Sequence, residues 1–450
     1  MILDLSCFSI ERRMRPQTKS QSLYKEALQV LPGGISRNTI FRRPNPDYVD
    51  FGKGSRVTDI DGVTRVDFAN NMASLIHGHA HPAIVDAITR QLRQGTAFTM
   101  ATEAELRFAQ HICDRNQGFE KIRFMNSGTE AVMAGIKAAR AITGRPKIAK
   151  SEGAYHGTYD YAEVSQKSNP ANWGNVSAPQ SVPVVEGTPQ AALDDVIVFP
   201  FNNISQTLEL LDRHASELAC VLIDPLPHRV GLIPASQEYM EAIRKWTLDH
   251  DCIFLLDEVI TFRMGWGGAQ DWYDVEPDLT ALGKIIGGGF PVGGLAGKDE
   301  FMSVLDPTRD RLPFPFSGTF SANPVTMTAG RVAMELFDRE AVDRLNQLGD
   351  YSRLKISQAI ESVGANACVT GAGSMFRVHL KSDPPTGYRE TYSDASENKQ
   401  IEFLVNFLYE RGFMMINTCS AALSTVLNAS DVDSMVDALS EGLEVLEQGQ

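Results

Sequence analysis

The sequence predicts an α/β layer fold with a mostly parallel central sheet in a large domain, joined to a smaller α+β domain drawn from both chain ends. Three observations carry this prediction. From about residue 70 to 330, apolar strand-like runs alternate with amphipathic helical patterns. The stretch 48–69 reads as a short antiparallel meander, and beyond about 331 the pattern becomes α+β. The chain has 450 residues, 43% hydrophobic and 22% charged, enough for two or more domains with buried cores.

In chain order, "YVDFGKGSRVTDIDGVTRVDFA" (48–69) alternates like a strand meander and turns at Asp61-Gly62. "AELRFAQHICDR" (104–115), "EAVMAGIKAARAI" (130–142) and "QEYMEAIRKWTLDH" (237–250) have helical periodicity. "KIAK" (147–150), "ACVLID" (219–224), "CIFLLDE" (252–258), "LTALGK" (279–284) and "GGLAG" (293–297) read as strands. Helices are expected near 331–361 and 397–411, and an amphipathic one closes the chain at 431–447. Residues 166–194, rich in Pro, Ser, Asn and Gln, form a long surface excursion. The expected division is 1–69 as the first part of the small domain, 70–330 as the large domain and 331–450 as the rest of the small one.

A net charge of −14 and the lack of any Lys/Arg-rich cluster argue against nucleic acid or an anionic membrane as main partner. No apolar run approaches the roughly 20 residues of a membrane span. "MILDLSCFSI" lacks a basic start and is interrupted by Asp4, so it reads poorly as a signal peptide. The six cysteines (Cys7, Cys113, Cys220, Cys252, Cys368, Cys419) form no C-x-x-C pair and read as buried free thiols of a reducing compartment. The expected location is the cytoplasm.

Chemistry concentrates in four stretches. "ALGKIIGGGFPVGG" (281–294) sets Lys284 in an apolar, glycine-rich run. One reading is a strand-end Lys that snorkels to water; the other is an amine kept neutral and nucleophilic, or already bound as an imine. Ser127-Gly128-Thr129-Glu130 fits an S-x-x-E capping box, and the same turn offers N–H groups, hydroxyls and a helix dipole to a phosphate. Tyr155-His156-Gly157 follows a strand, where ligands collect in open α/β sheets, although both side chains could equally be loop residues. Asp257 and Glu258 end an apolar strand. A helix cap or a metal ligand would look the same, but of the nine histidines none lies in or beside this segment, so no metal is expected.

Together these make one chemical set. Pyridoxal 5′-phosphate needs an anion site, stacking partners, a carboxylate at its ring nitrogen and a lysine for its aldehyde. A covalently occupied Lys284 carries no full charge into the interior, and the following glycines would let the backbone pass close to the cofactor.

The motifs "LPGGISR" (31–37), "GHAHPAIVDAI" (78–88), "NSGTEA" (126–131), "YHG" (155–157), "DEV" (257–259), "LGKIIGGGFPVGG" (282–294) and "GTFSANPVTMTAG" (318–330) span nearly the whole chain in order. In them the sequence resembles the class III pyridoxal-phosphate aminotransferases of fold type I, and within these the branch holding glutamate-1-semialdehyde aminomutase and the β-amino-acid aminotransferases. The resemblance implies Lys284 as the Schiff-base lysine and Asp257 as partner of the ring nitrogen. It implies Tyr155 on one ring face and Val259 on the other, and Ser127, Gly128 and Thr129 at the phosphate; His156, next to Tyr155, is a further candidate to contact the cofactor. Thr319 would reach the phosphate of a neighbouring subunit, which makes the expected unit a homodimer with active sites at the subunit interface.

The departures are informative. Aminomutases of the branch read D-E-V-x-x-G-F-R, whereas Asp257 to Arg263 lacks the glycine and is one residue shorter, as in β-amino-acid aminotransferases. The segment "NTCSAALST" (417–425) lacks the aminomutase glutamate and the arginine of 2-oxoglutarate-using relatives, with Thr418 nearby. The family's Glu-Pro is Asp224-Pro225 here, followed by "LPHRVG" (226–231). β-Amino-acid aminotransferases have an S-R where this chain has Ser36-Arg37 and hold the substrate carboxylate with that arginine, which points to Arg37; Arg229 is a candidate for a second carboxylate. The expected reaction moves an amino group from a β-amino acid or related amine to an oxo acid. The alternatives are an aminomutase or epimerase on the same cofactor and a catalytically idle binding protein, the last disfavoured by intact Lys284 and Asp257.

Overall fold

The computed structural model describes residues 18–449. Cys7, the opening segment and the start of the expected first domain part lie outside the described residues.

A seven-stranded sheet organises the molecule. Its strands lie in the order Lys121–Met125, Gly293–Gly297, Leu279–Gly283, Ile253–Asp257, Leu218–Ile223, Lys147–Ser151 and Val196–Phe199. All run the same way except Gly293–Gly297, which is antiparallel to both neighbours. Leu218–Ile223, Ile253–Asp257 and Leu279–Gly283 are buried throughout, so they read as continuous apolar runs rather than alternating ones. Gly293 brings its strand against the residue that caps the next helix: a Cβ there would stand 2.1 Å from the Ser127 carbonyl oxygen.

The helices Glu103–Cys113, Gly128–Thr143 and Gln237–Asp249 fall within a few residues of their expected spans. The region expected to be helical near 331–361 is two helices, Pro324–Leu336 and Arg339–Val363, the second capped by Asp338 through the Ala341 N–H at 2.8 Å. Ala395–Glu410 and Ala429–Gln448 follow. The meander forms from Val49–Lys53, Arg56–Asp59 and Thr64–Asp67, and Phe413–Met414 adds a parallel strand beside the last of these. Residues of both chain ends therefore share one sheet. Among the described residues no helix is long and apolar enough to cross a membrane.

Residues 166–194 hold a two-stranded hairpin and a short helix, Gln190–Asp194. The hairpin is tied from far along the chain. Arg389 donates to the Glu152 carboxylate at 2.9 and 3.2 Å and to the carbonyls of Trp173, Gly174 and Asn175 at 2.8 to 3.1 Å. Tyr388 donates its hydroxyl to the Ser168 carbonyl at 2.7 Å. The excursion is thus latched rather than free. Cys220, Cys252, Cys368 and Cys419 are buried free thiols as expected, whereas Cys113 is half-buried.

Candidate active site

The carboxyl ends of the parallel strands converge on one cavity of about 390 Å³. Asn126 follows Lys121–Met125, Asp224 follows Leu218–Ile223, Asp257 ends its own strand, and Lys284 follows Leu279–Gly283. All four line the cavity, with Ser127, Gly128, Thr129, Tyr155, His156 and Val259.

At one end, the helix Gly128–Thr143 starts on the cavity wall. Ser127 Oγ accepts the Glu130 N–H at 3.1 Å, as a capping box requires. The reciprocal half lands one residue upstream, because Glu130 Oε2 accepts the Asn126 N–H at 2.5 Å and not that of Ser127. Gly128 lets the helix start approach Val259, where a Cβ would come within 2.7 Å of Cγ1. Free N–H groups, two hydroxyls and the positive end of a 16-residue helix suit an anion.

At the other end, Asp257 Oδ2 receives His156 Nδ1 at 2.7 Å and Oδ1 accepts the Val259 N–H at 3.0 Å. Burial holds His156 below its ordinary pKa, opposed by Asp257, so its ring is neutral at pH 7. A neutral ring donating through Nδ1 leaves Nε2 as an acceptor, and that nitrogen is enclosed without a partner. Glu258, on the opposite side of the strand, accepts the Ala269 and Gln270 N–H groups at 2.6 and 3.1 Å, and burial pushes it up to about 7. Of the two carboxylates at this strand end, one faces the cavity and the other caps a turn.

Asp224 is a second buried carboxyl beside Asp257. Burial first, then the negative charge of Asp257, raises it well above the usual carboxylate range; the Leu226 N–H at 2.9 Å and Lys284 oppose this. Lys284 is half-buried, with φ +48°, a conformation that L residues avoid. Burial lowers its pKa, and Asp257 and Asp224 pull it back up. Of the glycines that follow, only Gly289 lines the cavity; a Cβ on Gly288 would meet the Ala329 carbonyl oxygen at 2.3 Å, so Gly288 serves packing against Pro324–Leu336 instead.

Tyr155 is 37% exposed at the cavity mouth, with the Arg229 guanidinium carbon 5.1 Å from its ring centre. Arg37 is exposed and one contact removed from the cavity: Nη1 donates to Asn71 Oδ1 at 2.7 Å, and Asn71 is on the wall. Thr319 is exposed and stands off the cavity of its own chain.

Asn71, Ser74, Asn126, Asp224, Phe290 and Pro291 line the cavity without having been singled out as site residues by sequence. Asp224 carried a usable signal, an acid just past an apolar strand, the same pattern as Asp257. Asn71 carried none. It lies in a run of four consecutive left-handed residues, Asn70 to Ala73, with φ of 43°, 48°, 56° and 68° and no glycine. Each such residue costs roughly 1–2 kcal/mol, less for the asparagines.

An anion cradle, an aromatic wall, a carboxylate tied to a neutral imidazole and an amine whose basicity burial lowers meet the requirements of pyridoxal 5′-phosphate. The fold and this site define a pyridoxal-phosphate-dependent enzyme of fold type I. The chain belongs to the class-III aminotransferases, which residues 43–442 match. It is 37% identical over 397 residues to a glutamate-1-semialdehyde 2,1-aminomutase of Methanothermobacter thermautotrophicus, covering 88% of this chain and 91% of the relative. The solved omega-transaminase from Sphaerobacter thermophilus is 44% identical, with TM-score 0.93 over 96% of this chain and 98% of that one. A β-phenylalanine aminotransferase from Variovorax paradoxus is 28% identical, with TM-score 0.85 over 94% and 93%.

Proposed function

We propose that this class-III enzyme is an aminotransferase that takes an amino group from a β-amino acid or related amine and gives it to an oxo acid. The observation that carries this reading is Arg37, held by its bond to the cavity-wall residue Asn71, in a chain whose 417–425 segment has no acid. The likeness to a β-phenylalanine aminotransferase and an omega-transaminase supports it. When bound, pyridoxal 5′-phosphate supplies an aldehyde for a primary amine and a cationic ring that draws electrons from the substrate carbon.

The chain's own residues divide the work. Lys284 Nζ is the covalent anchor and, once free, the group that moves a proton at the substrate carbon. Asp257 holds a proton at the ring nitrogen, and His156 fixes the Asp257 carboxylate through Nδ1. Ser127, Gly128 and Thr129 bind the phosphate; Tyr155 and Val259 wall the ring and keep water from it. Arg37 binds the donor carboxylate, for which a planar guanidinium gives two parallel bonds. Arg229, close over Tyr155, is placed for a second carboxylate on the acceptor. Thr319 completes the phosphate site of a partner subunit in a homodimer, consistent with its exposure and that of Phe320, 60% exposed beside it.

The aminomutase reading has the 37% identical relative in its favour. Turnover of a β-amino acid separates the two: the aminotransferase requires an added oxo acid, and sustained turnover without one would establish the isomerase. Arg37→Ala should lose a carboxylated donor selectively over its decarboxylated amine, by roughly 1.5–3 kcal/mol in kcat/KM. Equal losses on both would reduce Arg37 to a shaper of the entrance.

A further inference from the structure

We propose that Asn71 is the positioning residue that aims Arg37 at the substrate carboxylate while leaving its charge free. This rests on the reading of Arg37 as the donor-carboxylate anchor and adds the device that makes it selective.

The orientation of the Asn71 amide is fixed by its surroundings. Nδ2 donates to Ser74 Oγ at 3.0 Å, and the Ser74 hydroxyl spends its own proton on the Asn71 carbonyl at 2.9 Å. A flipped amide would set its NH2 against the Arg37 guanidinium, donor against donor, and its oxygen against a hydroxyl with no proton to give. The amide oxygen therefore faces Arg37, whose Nη1 donates to it at 2.7 Å. That bond uses one of five guanidinium donors and cancels none of its charge. Nε and Nη2 stay available for the two oxygens of a carboxylate.

The backbone beneath is braced for this purpose. Asn71 is the second residue of the left-handed run, which would relax if it were not held. Asp67 Oδ1 accepts the Ala69 and Asn70 N–H groups at 2.9 and 2.8 Å, and Asp67 Oδ2 is bonded to His79 Nε2 at 2.8 Å. The buried Asn70 amide donates to the carbonyls of Asp67 and Ala422 at 3.0 and 2.9 Å. The wall is rigid where Asn71 projects, while Arg37 itself is exposed and would otherwise sample many rotamers.

The test compares a carboxylated donor with its decarboxylated amine on the cofactor-loaded enzyme, and adds calorimetric binding of propionate, a carboxylate with no amine. Asn71→Gly keeps a residue that accepts φ of 48° and removes only the amide. It should raise KM for the carboxylated donor about tenfold, the worth of one charge-assisted contact, and affect kcat and the decarboxylated amine far less. Asn71→Asp should be worse than Asn71→Gly for the carboxylated donor and for propionate, since a carboxylate there would neutralise Arg37 and repel the ligand. In the Arg37→Ala background, Asn71→Gly should cost nothing further. Losses that add, that fall equally on both donors, or that are smaller for Asn71→Asp than for Asn71→Gly overturn the inference and leave the Arg37 reading standing. Arg37→Ala without donor selectivity overturns both. Thermal midpoint and bound-cofactor absorbance of each variant identify any loss that comes from misfolding.

Discussion

Lys150 and Lys284 both stand at carboxyl ends of strands in the same sheet, and burial lowers both amines. Their surroundings differ in kind. Lys150 is fully buried at the end of "KIAK", with Nζ donating to the carbonyls of Val164, Ala154 and Ser151 at 2.7, 3.0 and 3.4 Å. Three acceptors match the three donors of an ammonium, and they gather both ends of the loop that carries Tyr155 and His156. Burial pushes Lys150 down to about 7, with Glu152 and Glu163 opposing and Arg229 adding to the fall. Lys284 is half-open to the cavity and has only the charges of Asp257 and Asp224 to raise it. A buried lysine surrounded by carbonyls is held as a fastener, whereas one facing carboxylates across a cavity is left open to the cavity's contents. Burial alone does not separate the two roles; the acceptors do.

The largest break in this comparison should come from Lys284→Ala. We expect turnover to fall by on the order of 10⁴-fold or more, with the circular dichroism of the fold unchanged. Near-normal activity would end the assignment. Asp257→Asn should come next, lowering the single-turnover rate by roughly 10²–10³-fold while cofactor stays bound. If Asp257 were only a turn cap, the loss would instead be about 1 kcal/mol of stability at an unchanged rate.

Lys150→Met should invert this pattern. Three carbonyls lose their donor in a buried site, so about 3 kcal/mol of stability should go, with the chemical step in the surviving folded enzyme reduced far less than by Lys284→Ala. A rate loss equal to that of Lys284→Ala at unchanged stability would make Lys150 a second reagent. The smallest effect is in pH. A lysine at about 7 in the native state and near 10.4 unfolded leaves the unfolded chain holding more protons between those values, so native stability rises with pH across that window. Chemical denaturation at pH 7 and pH 9 should show the wild-type advantage over Lys150→Met widening by about 1.4 kcal/mol per pH unit. A constant gap would mean that the carbonyls hold Lys150 charged throughout.

Much of this site was legible because its signals are local. An apolar run that ends abruptly in Asp257 or just before Lys284 marks a strand and the residue at its end, and "GGLAG" became the strand Gly293–Gly297 without adjustment. What local pattern does not carry is convergence. Asp224 met the same criterion as Asp257 but gained meaning only when the sheet placed the two strands side by side, Ile223 opposite Leu256. The glycines after Lys284 were expected at the cofactor, yet Gly288 answers to Ala329, more than 40 residues away in the chain. The left-handed run at 70–73 was invisible for a related reason. Nothing in "NNMA" demands it, and it exists because Asp67 and the Ala422 carbonyl hold it. Thr319 and Arg37 lie off the cavity lining of their own chain, so no local pattern of that cavity points to them.

The latch formed by Arg389 has a consequence for synthesis. Glu152 leaves the ribosome 237 residues before the guanidinium that neutralises it. At the usual 5–20 residues per second this is a delay on the order of tens of seconds. During that interval the hairpin at 174–179 has no cation to gather its carbonyls, and the Glu152 carboxylate next to the Tyr155 loop has the Ser168 hydroxyl at 3.1 Å but no guanidinium. The parallel strands, and the Lys150 bonds that gather the Tyr155 loop, can form as they emerge, but the Arg389 latch and the left-handed turn that waits for Ala422 are finished only when the C-terminal part of the chain arrives. A nascent chain stalled before residue 389 would carry all seven strands of the sheet and every residue that lines the cavity, but neither the Arg389 latch nor the Ala422 carbonyl that holds Asn70.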